Sequence, residues 1–216
     1  MKLQDQKREI CDIGRLLHQH GFLAAADGNI SMRVDENRTL ITASGRHKAF
    51  LDENLIAMVD SIGHCIAGFP SSETPMHVAI YQHANQAKAI IHAHPPHCIA
   101  WTISHPNARE LPLEVMPEVL LGLGKAPIVP YQTPGSNNLA QLIASHAVQH
   151  RVLIMARHGV VSWGENMMEA YMGIERIEHA AKVLTIAQSM GGMTPLPSSE
   201  VAKLRQLREH LGPQSR

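Results

Sequence analysis

The sequence predicts an α/β chain of the α+β type, one domain over residues 1–216 in which helices flank a mixed β-sheet. Three observations carry this expectation. Ahead of Pro70, paired apolar runs joined by short polar turns read as two β-hairpins. Beyond it, helical periodicity alternates with short apolar strands. No internal repeat and no Gly-, Ser- or Pro-rich linker divides the chain, and 216 residues with 44% hydrophobic content suit one core.

Leu3, Ile10, Ile13 and Leu17 recur near helical spacing, predicting a helix over 2–20 that Gly21 can stop. Ala26-Asp27-Gly28-Asn29 turns the chain into a strand over 30–34. The polar run Asp35-Glu36-Asn37-Arg38 joins it to Leu40-Ile41-Thr42-Ala43, the first hairpin, and Ser44-Gly45 is the next turn. Runs over 55–60 and 64–67 form a second hairpin around Ser61-Ile62-Gly63. Ser71 or Ser72 is placed to cap a helix reaching about Ala84, with Pro75 tolerated in its first turn. The run from Ala89 reads as a buried strand ending in His92-Ala93-His94, and 98–103 reads as a helix. The three prolines between Ser104 and Pro117 predict loop, and 126–130 a short strand. Ser136 and Asn137 open a helix to His150, and strands over 151–156 and 160–163 flank Arg157-His158-Gly159. The longest helix covers 165–190 and ends at Gly191-Gly192, followed by a short one over about 198–211. Trp101, Trp163, Met167, Met168 and Met172 are assigned to core packing.

Composition removes several function classes. There are 19 basic and 19 acidic residues, so no net charge marks a nucleic-acid or membrane surface. No apolar run approaches the roughly 20 residues that span a bilayer. The N-terminus lacks an apolar signal segment. Cys11, Cys65 and Cys98 are odd in number and lack C-x-x-C spacing. They argue for a reducing, cytoplasmic setting and against a disulfide framework or thiolate zinc site.

The chemistry-bearing residues begin with His92-Ala93-His94. Positions i and i+2 of a strand share a face, so the two imidazoles can converge on one metal ion. The alternative is two histidines bonded to backbone or water. His158, beside Gly159 at another strand end, supplies a third imidazole, the ligand count of a catalytic zinc with an open position. His97 reads as a residue behind the ligands or as a helix cap. Glu73, in Ser71-Ser72-Glu73, is either a first-turn acid favoured by the helix dipole or a proton carrier beside the metal. Gly28-Asn29, Ser44-Gly45 and Ser71-Ser72 are ordinary turns or donors for a phosphate, and no Gly-x-x-x-x-Gly-Lys-Ser/Thr loop is present.

Together, Gly28-Asn29-Ile30-Ser31, Thr42-Ala43-Ser44-Gly45, Pro70-Ser71-Ser72-Glu73, His92-Ala93-His94 and His158-Gly159 resemble the class II (zinc-dependent) aldolase/adducin-like family, over roughly residues 5–190. Among its members the chain is most similar to sugar-phosphate aldolases of the L-fuculose-1-phosphate type. The resemblance implies a central, mainly antiparallel sheet with helices on both faces, and a homotetramer with active sites at subunit interfaces. It implies one Zn²⁺ per subunit on His92, His94 and His158, Glu73 as acid/base, and a phosphate held by Asn29, Ser44, Gly45, Ser71 and Ser72. The implied reaction is reversible cleavage of a ketose 1-phosphate to dihydroxyacetone phosphate and a short aldehyde.

The alternatives within this family are a 3-oxo-tetronate 4-phosphate decarboxylase and a methylthioribulose 1-phosphate dehydratase. Related epimerases carry aspartate where Glu73 stands. A non-catalytic adducin-like module predicts lost ligands, and all four groups are present. Two departures stand out. The stretch Leu113–Pro117 lacks the tyrosine that fuculose-phosphate aldolases place in a neighbouring subunit's site, and the tail from Glu209 to Arg216 lacks a second. Val115 and Met116 then predict a more apolar pocket, suited to 5-deoxyribulose or 5-methylthioribulose 1-phosphate.

Overall fold

The computed structural model describes residues 2–211, so the last five residues of the tail lie outside it. Eight strands form one sheet: β1 Asn29–Arg33, β2 Arg38–Thr42, β3 Ile56–Asp60, β4 Cys65–Ala67, β5 Ala89–Ala93, β6 Ile128–Val129, β7 Val152–Met155 and β8 Gly159–Gly164. Their spatial order is β4-β3-β2-β1-β5-β8-β7-β6. The sheet is antiparallel except for the β6–β7 pair. A helix connects those two strands, and such a crossover returns the chain in the same direction.

Seven α-helices cover the sheet among the described residues: α1 Leu3–Gln19, α2 Thr74–His83, α3 Pro96–Ser104, α4 Pro117–Leu123, α5 Asn137–Ala147, α6 Met167–Ser189 and α7 Ser198–Leu211. Strand parity sends alternate residues to two cores. Ala89 and Ile91 of β5 join the larger cluster with Leu17 of α1, Trp101 of α3 and Ile174 of α6. Ile90 points the other way, into the cluster with Ile80 of α2 and Ile143 of α5. β5 is buried at all five positions, which explains its unbroken apolar run. No described helix is long and apolar enough to cross a membrane.

Most expected elements are present within a residue or two. The helix expected over 98–103 starts earlier, at Pro96, because a proline is compatible with the first turn. Neither serine caps α2. Its N-cap is Glu73, and Ser71 Oγ instead accepts the Glu73 N–H at 3.3 Å. Helix α4 was not foreseen: its seven residues are too few to show a periodicity. Within the expected loop, 113–115 forms a 3-10 turn. Trp101, Trp163 and Met167 are core residues, but Met168 and Met172 are 51% and 38% exposed. On a long helix, adjacent residues sit about 100° apart, so one core face cannot take every methionine.

Candidate active site

Strand β5 and the β7–β8 turn bring the three candidate metal ligands together. His92 is the fourth residue of β5 and fully buried, and His94 follows just past the strand end. His158 occupies the turn between β7 and β8, where its N–H donates to the Met155 carbonyl. The turn needs Arg157 at φ 62°, a left-handed conformation that costs a non-glycine residue roughly 1–2 kcal/mol. The Arg157 N–H donates to Thr102 Oγ1 at 2.8 Å, which helps hold that conformation. Gly159 is required by close approach: a Cβ there would lie 2.5 Å from the Ala93 carbonyl oxygen and 2.7 Å from the His94 ring.

The three imidazoles converge. Their ring centroids are 4.8, 4.8 and 5.3 Å apart, and one ligand atom from each lies within 4.8 Å of the others. His92 Nδ1–H donates to the Val160 carbonyl at 3.0 Å, so its Nε2 carries a lone pair. That lone pair faces Glu73 Oε2 at 3.2 Å and His94 Nε2 at 3.0 Å. A lone pair and a carboxylate oxygen so placed repel unless positive charge lies near both. Glu73 Oε1 and His158 Nδ1 are buried without a hydrogen-bond partner. Burial lowers the proton affinity of all three imidazoles, which keeps them neutral and able to ligate. The set therefore fits a divalent cation.

Glu73 is held by Asn29, whose Nδ2 donates to Oε2 at 2.8 Å. Asn29 is itself buried, and Nδ2 retains a second hydrogen beside the cleft. The remaining polar residues sit on two turns laid side by side. The Ser44 N–H donates to the Phe69 carbonyl at 3.0 Å and the Ser71 N–H to the Thr42 carbonyl at 3.1 Å. Ser44-Gly45 and Ser71-Ser72, far apart in sequence, thereby share one rim. Eight of the nine sequence-derived site residues (Asn29, Ser44, Gly45, Ser71, Ser72, Glu73, His94 and His158) line one cleft of about 600 Å³. His92 lies beneath its floor.

Lys48 also lines this cleft and was missed in the sequence. Its Nζ donates to the carbonyls of Ala26 and Arg46 and keeps one further hydrogen. Burial brings the ammonium down to about 8. A lone lysine in a 3-10 turn carries no pattern that would mark it. His97 is not a ligand: its Nδ1 lies 2.7 Å from Glu178 Oε1, and Glu178 also accepts the backbone N–H groups of His97 and Cys98 at the start of α3. Val115 and Met116 pack against their own chain's larger core. Glu114 beside them pairs with Arg205 at 2.6 Å.

Comparison with known proteins agrees with this geometry. Residues 8–185 match the family described as Class II Aldolase and Adducin N-terminal domain. The 3-oxo-tetronate 4-phosphate decarboxylase of Cupriavidus necator is 32% identical, over 92% of this chain and 94% of that protein. The L-fuculose phosphate aldolase of Methanococcus vannielii is 34% identical, over 84% of this chain and 97% of its own. The crystal structure of YgbL from Klebsiella pneumoniae superposes with a TM-score of 0.88 at 28% identity, covering 94% of this chain and 99% of that one. With its fold, its histidine triad and these relatives in agreement, the chain belongs to the class II aldolase and adducin N-terminal domain family.

Proposed function

We propose that the protein is a zinc-dependent carbon–carbon lyase that forms dihydroxyacetone phosphate, with decarboxylation of a 3-oxo-tetronate 4-phosphate as its reaction. The observation that carries this reading is one cleft lined by His94, His158, Glu73 and the paired serine turns, with the buried His92 completing the imidazole cluster. His92, His94 and His158 would hold the zinc ion, which would supply Lewis-acid charge beside the breaking bond. Ser44, Gly45, Ser71 and Ser72 fix the phosphate, helped by the second Asn29 N–H and the Lys48 ammonium. The C1–C2 electron pair moves onto the C3 carbonyl oxygen as carbon dioxide departs. Glu73 then delivers a proton to C2 of the enediolate, giving dihydroxyacetone phosphate. Aldol cleavage of a ketose 1-phosphate leaves the same enediolate, so one constellation serves both reactions.

Decarboxylation is preferred because carbon dioxide leaves without a proton. An aldehyde leaves only after a base removes a hydroxyl proton, and Leu113–Pro117 lacks the tyrosine that the family resemblance assigns to that end of the substrate. Aldol cleavage is the second reading, supported by the methanococcal relative. Val115 and Met116 are partly buried against their own core, so the choice between hydroxylated, deoxy and methylthio substrates rests on the substrate panel below. The same reading carries one zinc per subunit of a homotetramer. Phe50 and Phe69, 78% and 82% exposed near the anion-binding turns, are apolar surface that such an assembly would cover.

The test is a panel of phosphorylated keto acids and ketoses with zinc-loaded protein and identified products. Carbon dioxide with dihydroxyacetone phosphate supports the first reading. An aldehyde with dihydroxyacetone phosphate shifts the assignment to the second, and absence of dihydroxyacetone phosphate from every reaction sinks both.

A further inference from the structure

A buried hydrogen-bond chain runs away from Glu73 between α2 and β1. Glu73 at the N-cap of α2, and His77 and Tyr81 within it, are spaced by four residues, an advance of about 6 Å per step. Asn29, Ser31 and Arg33 are spaced by two on β1, an advance of about 6.6–6.8 Å. The two periods nearly match, so three helix positions meet three strand positions in register. Asn29 Nδ2 donates to Glu73 Oε2 at 2.8 Å. His77 Nε2 lies 2.5 Å from Asn29 Oδ1, and His77 Nδ1 lies 2.6 Å from Ser31 Oγ. Ser31 Oγ lies 2.9 Å from Tyr81 Oη, and the Arg33 guanidinium covers the Tyr81 ring at 4.7 Å.

The donors can run only one way. A carboxylate oxygen accepts, so the amide nitrogen of Asn29 faces Glu73. Asn29 Oδ1 then needs a donor, which places the imidazole proton on His77 Nε2. Nδ1 is left to accept from the Ser31 hydroxyl, and Ser31 accepts from Tyr81. Complete burial pushes the His77 imidazole down to about 3, leaving a single ring proton. Nothing else in the mechanism uses His77 or Tyr81.

We propose that His77 is a positioning residue for Glu73, and that its Nε2–H tautomer locks the Asn29 amide with nitrogen, not oxygen, towards the carboxylate. An amide does not pass protons along, so the chain orients Glu73 and does not drain it. This rests on Glu73 being the proton carrier of the proposed lyase. With the imidazole removed, the amide is free to turn its oxygen towards Glu73 and drive the carboxylate out of line.

The experiment follows solvent deuterium entering dihydroxyacetone phosphate on zinc-loaded protein, which reads proton transfer whatever the leaving fragment is. His77→Gln keeps a donor near the Nε2 position, whereas His77→Asn keeps only a mimic of Nδ1. His77→Asn should slow exchange on the order of 100-fold, the size of a misplaced catalytic group. Its zinc content and KM should match the unaltered protein. His77→Gln should recover to within about tenfold. Equal rates for the two variants, or undiminished exchange in His77→Asn, overturn the assignment. If His77→Asn does not fold, Ser31→Ala substitutes for it: exchange about tenfold slower is expected, and an unchanged rate overturns the assignment. Absence of exchange in the unaltered protein sinks the lyase reading and this inference with it.

Discussion

The two ends of the cleft are built differently. The part proposed to hold metal is carried by strand β5 and the β7–β8 hairpin, with His92 fully buried and its tautomer set by the Val160 carbonyl. The part proposed to hold the anion is carried by turns, with Ser44, Gly45 and Ser72 exposed on the rim. The contrast teaches where rigidity is needed. Ligand atoms tolerate displacements of only tenths of an ångström, whereas a phosphate is gripped by several donors that each contribute a little. Changes at the metal end should therefore abolish chemistry, and changes at the anion end should weaken binding.

The largest expected effect is His92→Ala. Zinc content should fall well below one per chain and turnover should vanish, as read by metal analysis and product formation. Full zinc occupancy in this variant would remove His92 from the ligand set. Next is Glu73→Gln, which should keep its zinc and lose roughly 10²–10⁴ in kcat, the range for one general acid/base. Unchanged turnover would take Glu73 out of the mechanism. Gly159→Ala tests the backbone beneath the metal end. Its Cβ would collide with the Ala93 carbonyl, and overpacking of this kind costs about 1–3 kcal/mol, readable as a lower denaturation midpoint together with weaker zinc retention.

At the anion end the effects should be smaller and lie in KM. Lys48→Met should raise KM about tenfold, the worth of one charge-assisted contact, with kcat nearly kept. Burial lowers the Lys48 ammonium from its ordinary value to about 8. The charge is therefore present below pH 8 and lost above it, so KM of the unaltered protein should climb as pH rises through 8. That climb should flatten in Lys48→Met, and an identical profile in both proteins would remove Lys48 from the grip. The same depression affects stability. Between pH 8 and the ordinary lysine range the unfolded chain binds more protons at this residue, so its contribution favours folding more as pH rises through that window. Ser72→Ala should be mildest, a KM change of a few fold, since an exposed hydroxyl exchanges with water at little cost.

Much of the fold was legible because strands and hairpins here follow simple rules. The Asp35–Arg38 turn between two apolar runs leads to the observed β1–β2 pairing, and Gly191-Gly192 closes α6 with both residues at positive φ. Helix α4 was hidden because two turns of Val, Leu and Gly show no usable period. In the site, the histidine triad and the polar turns stood out through residue type and spacing. The stripe Glu73, His77, Tyr81 and the stripe Asn29, Ser31, Arg33 were each readable as a period of four and a period of two. Nothing in either stripe announced that they face one another.

The sequence by itself offered the candidate side chains: strand spacing paired His92 with His94, and the family resemblance added His158, Glu73 and the polar turns to the same proposed site. Tertiary structure alone decided three further matters. It placed Lys48 on the wall of the cleft, packed Val115 and Met116 partly against their own core, and set α2 against β1 so that Asn29 grips Glu73. The physical reason is that helix-to-sheet registry is set by packing of apolar cores on both faces of the sheet. The polar groups at the seam are brought to their partners by that packing, in which Tyr81 itself takes part.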